Sequence, residues 1–219
     1  MWNNQVIIML LEGIRDTLYM TLMSAVIGYV IGLPMGILLA VTDRDGIRPN
    51  AVIYKLLDVT ANLIRSVPFL ILLIVLIPFT RFVVGKSYGP TATIVPLVIA
   101  AAPYIARMVE SSLKEVDAGV IEAARSMGAS DFAVITRVML VEARTSLIVG
   151  ATISLGTILG YSAMAGTVGG GGLGDIAIRY GYTRWQTDIM VVTVILLVIL
   201  FQIFQTAGMK LASHLDKRK

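Results

Sequence analysis

Long apolar runs alternate with short charged stretches along this chain, and the runs are too long and too uniform to be the buried faces of soluble helices. The first covers residues 17–41 and stops at Thr42, Asp43, Arg44, Asp45 and Gly46. A polar loop at 42–58 leads to a second run at 59–80. Arg81, Gly85 and Lys86 mark the turn to a third, at 91–108. A fourth covers 146–168 and a fifth 189–211. The pattern predicts an all-α integral membrane protein with five transmembrane helices in a single domain, 1–219. The N-terminal segment lacks a basic start and breaks its apolar run at Glu12. It is expected to form a short interfacial helix and not a cleavable signal.

Within the first run, Gly28, Gly32 and Gly36 recur every four residues and put three glycines on one helix face, where a neighbour can pack closely. Pro34 is expected to bend that helix. Pro96 and Pro103 lie inside the third run, where neighbouring groups can satisfy the freed carbonyls. The fourth run is the most polar, with Ser154, Thr157, Tyr161 and Ser162, and Gly156 and Gly160 give it a close-packing face.

The segment 109–145 is too charged to span and too patterned to be a loose loop. Val120, Ala124 and Met127 fall at i, i+4 and i+7, and Phe132, Ile135 and Met139 at i, i+3 and i+7. Both sets predict short amphipathic helices. Gly128 is the natural stop of the first, and Ser130 or Asp131 the natural N-cap of the second.

Composition agrees with the pattern. The chain is 57% hydrophobic with a mean hydropathy of +0.84, against about 45–50% apolar residues in soluble domains. Its net charge of +4 needs no nucleic-acid partner, because membrane proteins collect Lys and Arg in cytoplasmic loops. Arg15, Arg81, Lys86, Arg179 and Arg184 fall on one side, and the other 13 of the 18 basic residues on the side of the C-terminus. That excess places the C-terminus and the long loop in the cytoplasm. The chain has no cysteine, so disulfides and thiolate chemistry are excluded. The lone His214 sits in a charged tail and offers no metal site.

The run from Gly169 to Gly174 satisfies G-x-G-x-x-G, but it follows a membrane helix and lies on the side away from cellular nucleotides. A tight re-entrant turn or a flexible cap is the reading. No P-loop motif, Ser-His-Asp set, paired carboxylate or H-E-x-x-H occurs, so neither an ATP site nor an enzyme is expected in this chain. The spans are almost free of ionisable groups. Arg65, the nearest candidate, is expected close to a membrane face, snorkelling. A transporter built this way binds Na⁺ through carbonyls or draws energy from another subunit, and the structured loop favours the second.

Glu122, Ala123, Ala124, Arg125, Ser126, Met127 and Gly128, followed after nine residues by Val138, Met139 and Leu140, resemble the EAA loop of ABC-importer permeases. The placement between the third and fourth spans also matches. Arg65-Ser66-Val67-Pro68-Phe69, Gly160-Tyr161-Ser162-Ala163-Met164 and the glycine-rich turn are similar to the permeases of methionine importers, and the likeness covers nearly the whole chain. The resemblance departs at Val141, Asp117 and Thr145, where proline is expected, so the loop helices should be less sharply terminated.

The resemblance implies a type I permease in the bacterial cytoplasmic membrane, paired with a second copy of itself, two cytoplasmic ATPase subunits and an extracytoplasmic substrate-binding protein. ATP is then used by the partner subunit, and this chain holds no cofactor. Residues 122–128 would couple to the ATPase, Glu122 sitting near a helix start and pairing with Arg125 or Arg137. Ser66, Pro68, Phe69, Tyr161, Ser162 and Met164 would line the translocation path, although Tyr161 and Met164 equally suit packing. Asp175, Arg179, Tyr182 and Arg184 would meet the binding protein, although Tyr180, Tyr182 and Trp185 equally suit an aromatic belt. The implied substrate is methionine. The alternatives are a permease for another small solute, an ATPase-independent secondary transporter, and a membrane enzyme.

Overall fold

The computed structural model describes residues 4–215, which are helical with short connections and contain no strand. The basic tail at 217–219 lies outside the described residues. Helix α1 (Asn4–Thr42) is a single helix of 39 residues, about 58 Å long. The expected separate interfacial helix does not form. Leu10 packs with Leu173, Ile176 and Ile189, so protein contacts hold the first turns in line with the rest of α1. Pro34 sits inside that same helix. The glycine stripe faces α5 (Pro90–Lys114). A Cβ on Gly32 would lie 2.6 Å from the Ala102 carbonyl oxygen, and one on Gly36 2.5 Å from that of Ala106. Only glycine lets these two backbones approach so closely.

The second span differs from expectation. Helix α2 (Ala51–Ser66) starts earlier than residue 59, because the Asn50 side chain accepts hydrogen bonds from the Val52 and Ile53 N–H groups. It ends where Val67 turns extended (φ −82°, ψ 125°) ahead of Pro68. Proline has no N–H and crowds the residue before it out of the helical region. Helix α3 (Phe69–Val75) then leaves at 101° to α2, and α4 (Ile77–Val84) follows Leu76. Residues 59–80 are therefore broken and not one helix. Among the described residues, four helical stretches are long and apolar enough to cross a membrane, or five if the bent α2–α3 pair counts as one.

Helix α5 holds Pro96 and Pro103 and continues past Met108 to Lys114, so the expected loop 109–145 gives its first turns to the helix. Next come α6 (Ala118–Ser126), α7 (Asp131–Ala133), a π-helical stretch (Val134–Met139) and α8 (Leu140–Glu142). These lead with only Ala143 between into α9 (Arg144–Ala165). A short 3₁₀ turn (Gly166–Val168), α10 (Gly172–Ile176) and a second π-helical stretch (Ala177–Tyr182) precede α11 (Thr187–Leu215). The ring of Phe201 on α11 sits over Gly156, and Gly208 of α11 abuts the Thr152 hydroxyl. Gly160 meets nothing within 4 Å of where a Cβ would stand, so only half of the expected glycine face is a contact.

The glycine-rich run is a tight turn. Gly169, Gly171 and Gly172 have φ of +77°, +86° and +74°, a region that side chains disfavour. The Gly170 N–H donates to Ala165 O, the Gly89 N–H to Gly169 O, and the Leu173 N–H to the Thr17 hydroxyl, each at 2.9 Å. These bonds fold α10 back against α1 and the end of α9.

Candidate functional site

The loop after α5 folds as a capped helix and a sharp reversal. Asp117 caps α6 by accepting from the Gly119 N–H at 2.7 Å. This corrects one expectation: the residue standing in place of proline starts the helix cleanly. Gly128 has φ +82°, and the Ser130 side chain accepts from the Ala133 N–H, so the expected stop and the second N-cap are present. Glu122 lies within α6 and not at its start, so the helix dipole does little for it. It makes no ion pair with Arg125 or Arg137.

The apolar stripe does not bury as one face. Ala124 is buried, as are Val134 and Met139, whereas Val120 is exposed and Met127 and Phe132 are 82% and 76% exposed. Ala123, Arg125, Ser126 and Gly128 are exposed as well. The result is a reversal that presents two bare apolar side chains beside charges. Arg48, in the α1–α2 turn, bonds Asp131 at 2.8 Å and ties that turn to the loop.

Behind this loop lies a cluster that the pattern of runs did not disclose. Glu110 is 4% exposed. It accepts from Arg107 Nη1 at 2.6 Å, from Lys114 Nζ at 2.8 Å and from the Tyr54 hydroxyl at 3.3 Å. Arg107 also bonds Asp58 and the Asn62 side-chain oxygen Oδ1, and Lys114 reaches Asp43 at 2.6 Å. The hydrogen bond from Lys114 holds the Asp43 carboxyl below the ordinary carboxylate range. The pairs order α2 antiparallel to α5: Tyr54 with Glu110, Asp58 with Arg107. Ending the third span at Met108 hid the signal, which is the spacing of Arg107, Glu110 and Lys114 along one face.

Deeper in the chain, the α2–α3 elbow meets α9. Phe69 and Tyr161 stack with ring centroids 4.5 Å apart and planes 5° from parallel. They line a cavity of about 200 Å³ together with Arg65, Val67 and Tyr104, among others. The structure thus brings together Phe69 and Tyr161 from the six residues expected on the path. Ser162 is buried and donates to Leu159 O within its own helix, and Ser66 donates to Leu63 O. Neither lines the cavity, nor do Pro68 and Met164. Arg65 lies in the last turn of α2, at the break before α3. Its guanidinium lies 5.9 Å from the centre of the Tyr104 ring, on a residue about 15 Å from the Lys114 end of α5 and about 21 Å from its Pro90 end.

At the opposite end from the loop, Asp175 and Arg179 pair at 2.6 Å, and Arg184 lies 4.5 Å from the Tyr180 ring centre. Tyr182 and Trp185 are exposed, Trp185 with φ +57°. All four residues expected to meet a binding protein fall in this one patch.

The fold and both ends of the molecule have counterparts. A probable D-methionine transport system permease protein MetI of Vibrio cholerae is 46% identical over 96% of this chain and 93% of its own length. The D-methionine transport system permease protein MetI of Escherichia coli K12 is 50% identical over 72% of this chain and 73% of its own. A solved structure of the MetNI methionine ABC transporter in inward-facing conformations contains a chain 45% identical to this one. The two superpose with a TM-score of 0.97, covering 99% of this chain and all of the other. A chain from an amino acid ABC transporter crystallised with histidines, 21% identical, shares the fold at a TM-score of 0.74. The model of one protein family matches residues 32–219, and by that match and these identities the chain belongs to the family of binding-protein-dependent transport system inner membrane components.

Proposed function

We propose that this chain is the membrane-spanning subunit of an ATP-driven methionine importer. It works as a pair of identical subunits with two cytoplasmic ATPases and an extracytoplasmic binding protein. The observation that carries the reading is the whole-length likeness to a chain of a methionine ABC transporter, at 45% identity and a TM-score of 0.97. The chain contributes no ATP site, and the hydrolysing groups belong to the partner.

The residues take roles that their geometry suits. Met127 and Phe132 stand bare at the reversal around Gly128, and a groove on the ATPase would cover them, with Glu122 and Arg125 at its rim. The loop and the C-terminus then face the cytoplasm, as the distribution of Lys and Arg favours. ATP-driven closure of the ATPases draws the two loops together, and the spans rock between inward- and outward-open states. Phe69 and Tyr161 flank the path. Asp175, Arg179, Tyr182 and Arg184 meet the binding protein at the other end.

The test is uptake of labelled methionine into cells lacking their own methionine importer, with this chain, its ATPase and its binding protein supplied, before and after ATP depletion. Uptake that needs both the chain and ATP is expected. Assembled protein without methionine uptake would send the substrate assignment to another small solute. Uptake that survives ATP depletion would make the chain a secondary transporter.

A further inference from the structure

Arg65 is an exposed cation in the last turn of α2, at the break of the candidate α2–α3 span, and no carboxylate among the described residues pairs with it. Asp58, two turns earlier on α2, is committed to Arg107. Among the described residues, the contact the Arg65 guanidinium makes is with the Tyr104 ring, at 5.9 Å from its centre. Arg65 lies about 21 Å along α2 from Ala51, and α2 with α3 passes as one broken candidate span, so Arg65 falls in the interior of that span. An arginine inside a span faces a cavity or a partner and not lipid. Here it borders the cavity of about 200 Å³.

The rest of that cavity is chemically uneven. One wall is the stacked pair Phe69 and Tyr161, the other Tyr104. At the elbow itself, the Val67 carbonyl accepts no backbone hydrogen bond, since Ile71 and Leu72 both donate to Pro68 O. The site therefore offers a fork of N–H donors and aromatic faces around one small space, with the unpaired carbonyl of a lining residue, Val67, at its elbow. A guanidinium is matched to a carboxylate, which it binds through two parallel hydrogen bonds. A broken membrane helix supplies a carbonyl for a cation. Aromatic rings attract a thioether. An α-amino acid with a thioether side chain carries all three complements.

We infer that Arg65 receives the carboxylate of the transported amino acid at the α2–α3 elbow. The Val67 carbonyl faces the ammonium, and Phe69, Tyr104 and Tyr161 enclose the side chain. This rests on the proposed import of methionine and adds the residue that would hold the substrate's charge within the span.

The chain has no cysteine of its own, so Arg65→Cys introduces its single thiol. The full complex, with ATPases and binding protein, is reconstituted in proteoliposomes. Loss of a charge-assisted pair is expected to lower methionine uptake about ten- to a hundredfold. Aminoethyl methanethiosulfonate, which returns a positive charge, should restore uptake, and the sulfonatoethyl reagent should not. The wild-type complex treated alike corrects for thiols on other subunits. Methionine should slow modification of the introduced thiol.

Charge rescue without methionine protection would mean that Arg65 pairs with a protein carboxylate in the assembled pair, and would overturn the assignment. So would wild-type uptake by the variant. If the variant does not assemble, Arg65→Lys decides: it keeps the charge and loses the fork, and uptake about tenfold lower is expected, with unchanged uptake counting against the assignment. A wild-type complex that carries no methionine removes the import reading and this inference with it.

Discussion

Glu110 holds a charge inside the protein on terms set by Arg107, Lys114 and Tyr54. Removing one partner leaves a buried charge uncompensated, whereas removing both sides often costs little. Arg107→Met is therefore expected to destabilise the chain by about 3–5 kcal/mol, read as a shift in the denaturation midpoint in detergent. The pair Arg107→Met with Glu110→Leu should recover much of that loss. If the double variant is as unstable as the sum of the singles, the two side chains are not coupled as their 2.6 Å contact implies. Asp58 bonds Arg107 as well, so part of the loss should persist in the double variant. The same contrast between paired and unpaired charge separates Arg107 from Arg65: one spends its donors on protein acceptors, the other keeps them for something that arrives.

Among the elements, α6 and the turn after it carry the clearest mechanical role. Gly128 has a positive φ and nothing within 4 Å of where its Cβ would stand, so a side chain there meets backbone strain and projects outward from the reversal. Gly128→Arg is expected to leave membrane insertion intact and to abolish co-purification of the ATPase subunits. Normal co-purification and transport would refute the coupling role of the reversal. This loop was legible in the sequence because its devices are local: a glycine that stops a helix, a serine that caps the next, charges that keep the segment out of the bilayer. The elbow was visible only as a proline. Pro68 announces a helix interruption, but whether a chain bends by a few degrees or by 101° depends on what α3 packs against. Phe69 and Leu73 are buried with Met20, Leu97 and Ala165, from three other helices, and no local pattern reports that. The span ends slipped for a related reason. Hydropathy stops α5 at Met108, while the ion pairs around Glu110 let the helix carry charges as far as Lys114.

At the scale of the molecule, the loop and the elbow are joined through α2. Its first residue follows a turn stapled to the loop by Arg48 and Asp131, its middle is tied to α5 by Asp58 and Arg107, and its last turn carries Arg65 into the elbow. A charge reversal at the staple, Arg48→Glu, is expected to lower transport severalfold per ATP hydrolysed, and Asp131→Arg in the same chain should restore the ratio. Equal loss of hydrolysis and transport would mean that the staple serves assembly alone. The elbow's near-right angle gives this linkage a particular output. A rigid rod that meets a second rod at 101° works as a bell crank: a small tilt imposed at the loop end of α2 becomes a sideways sweep of α3, whose first ring, Phe69, lies flat against Tyr161. A tug at the membrane surface would slide one aromatic plate across the other, the motion of a shutter.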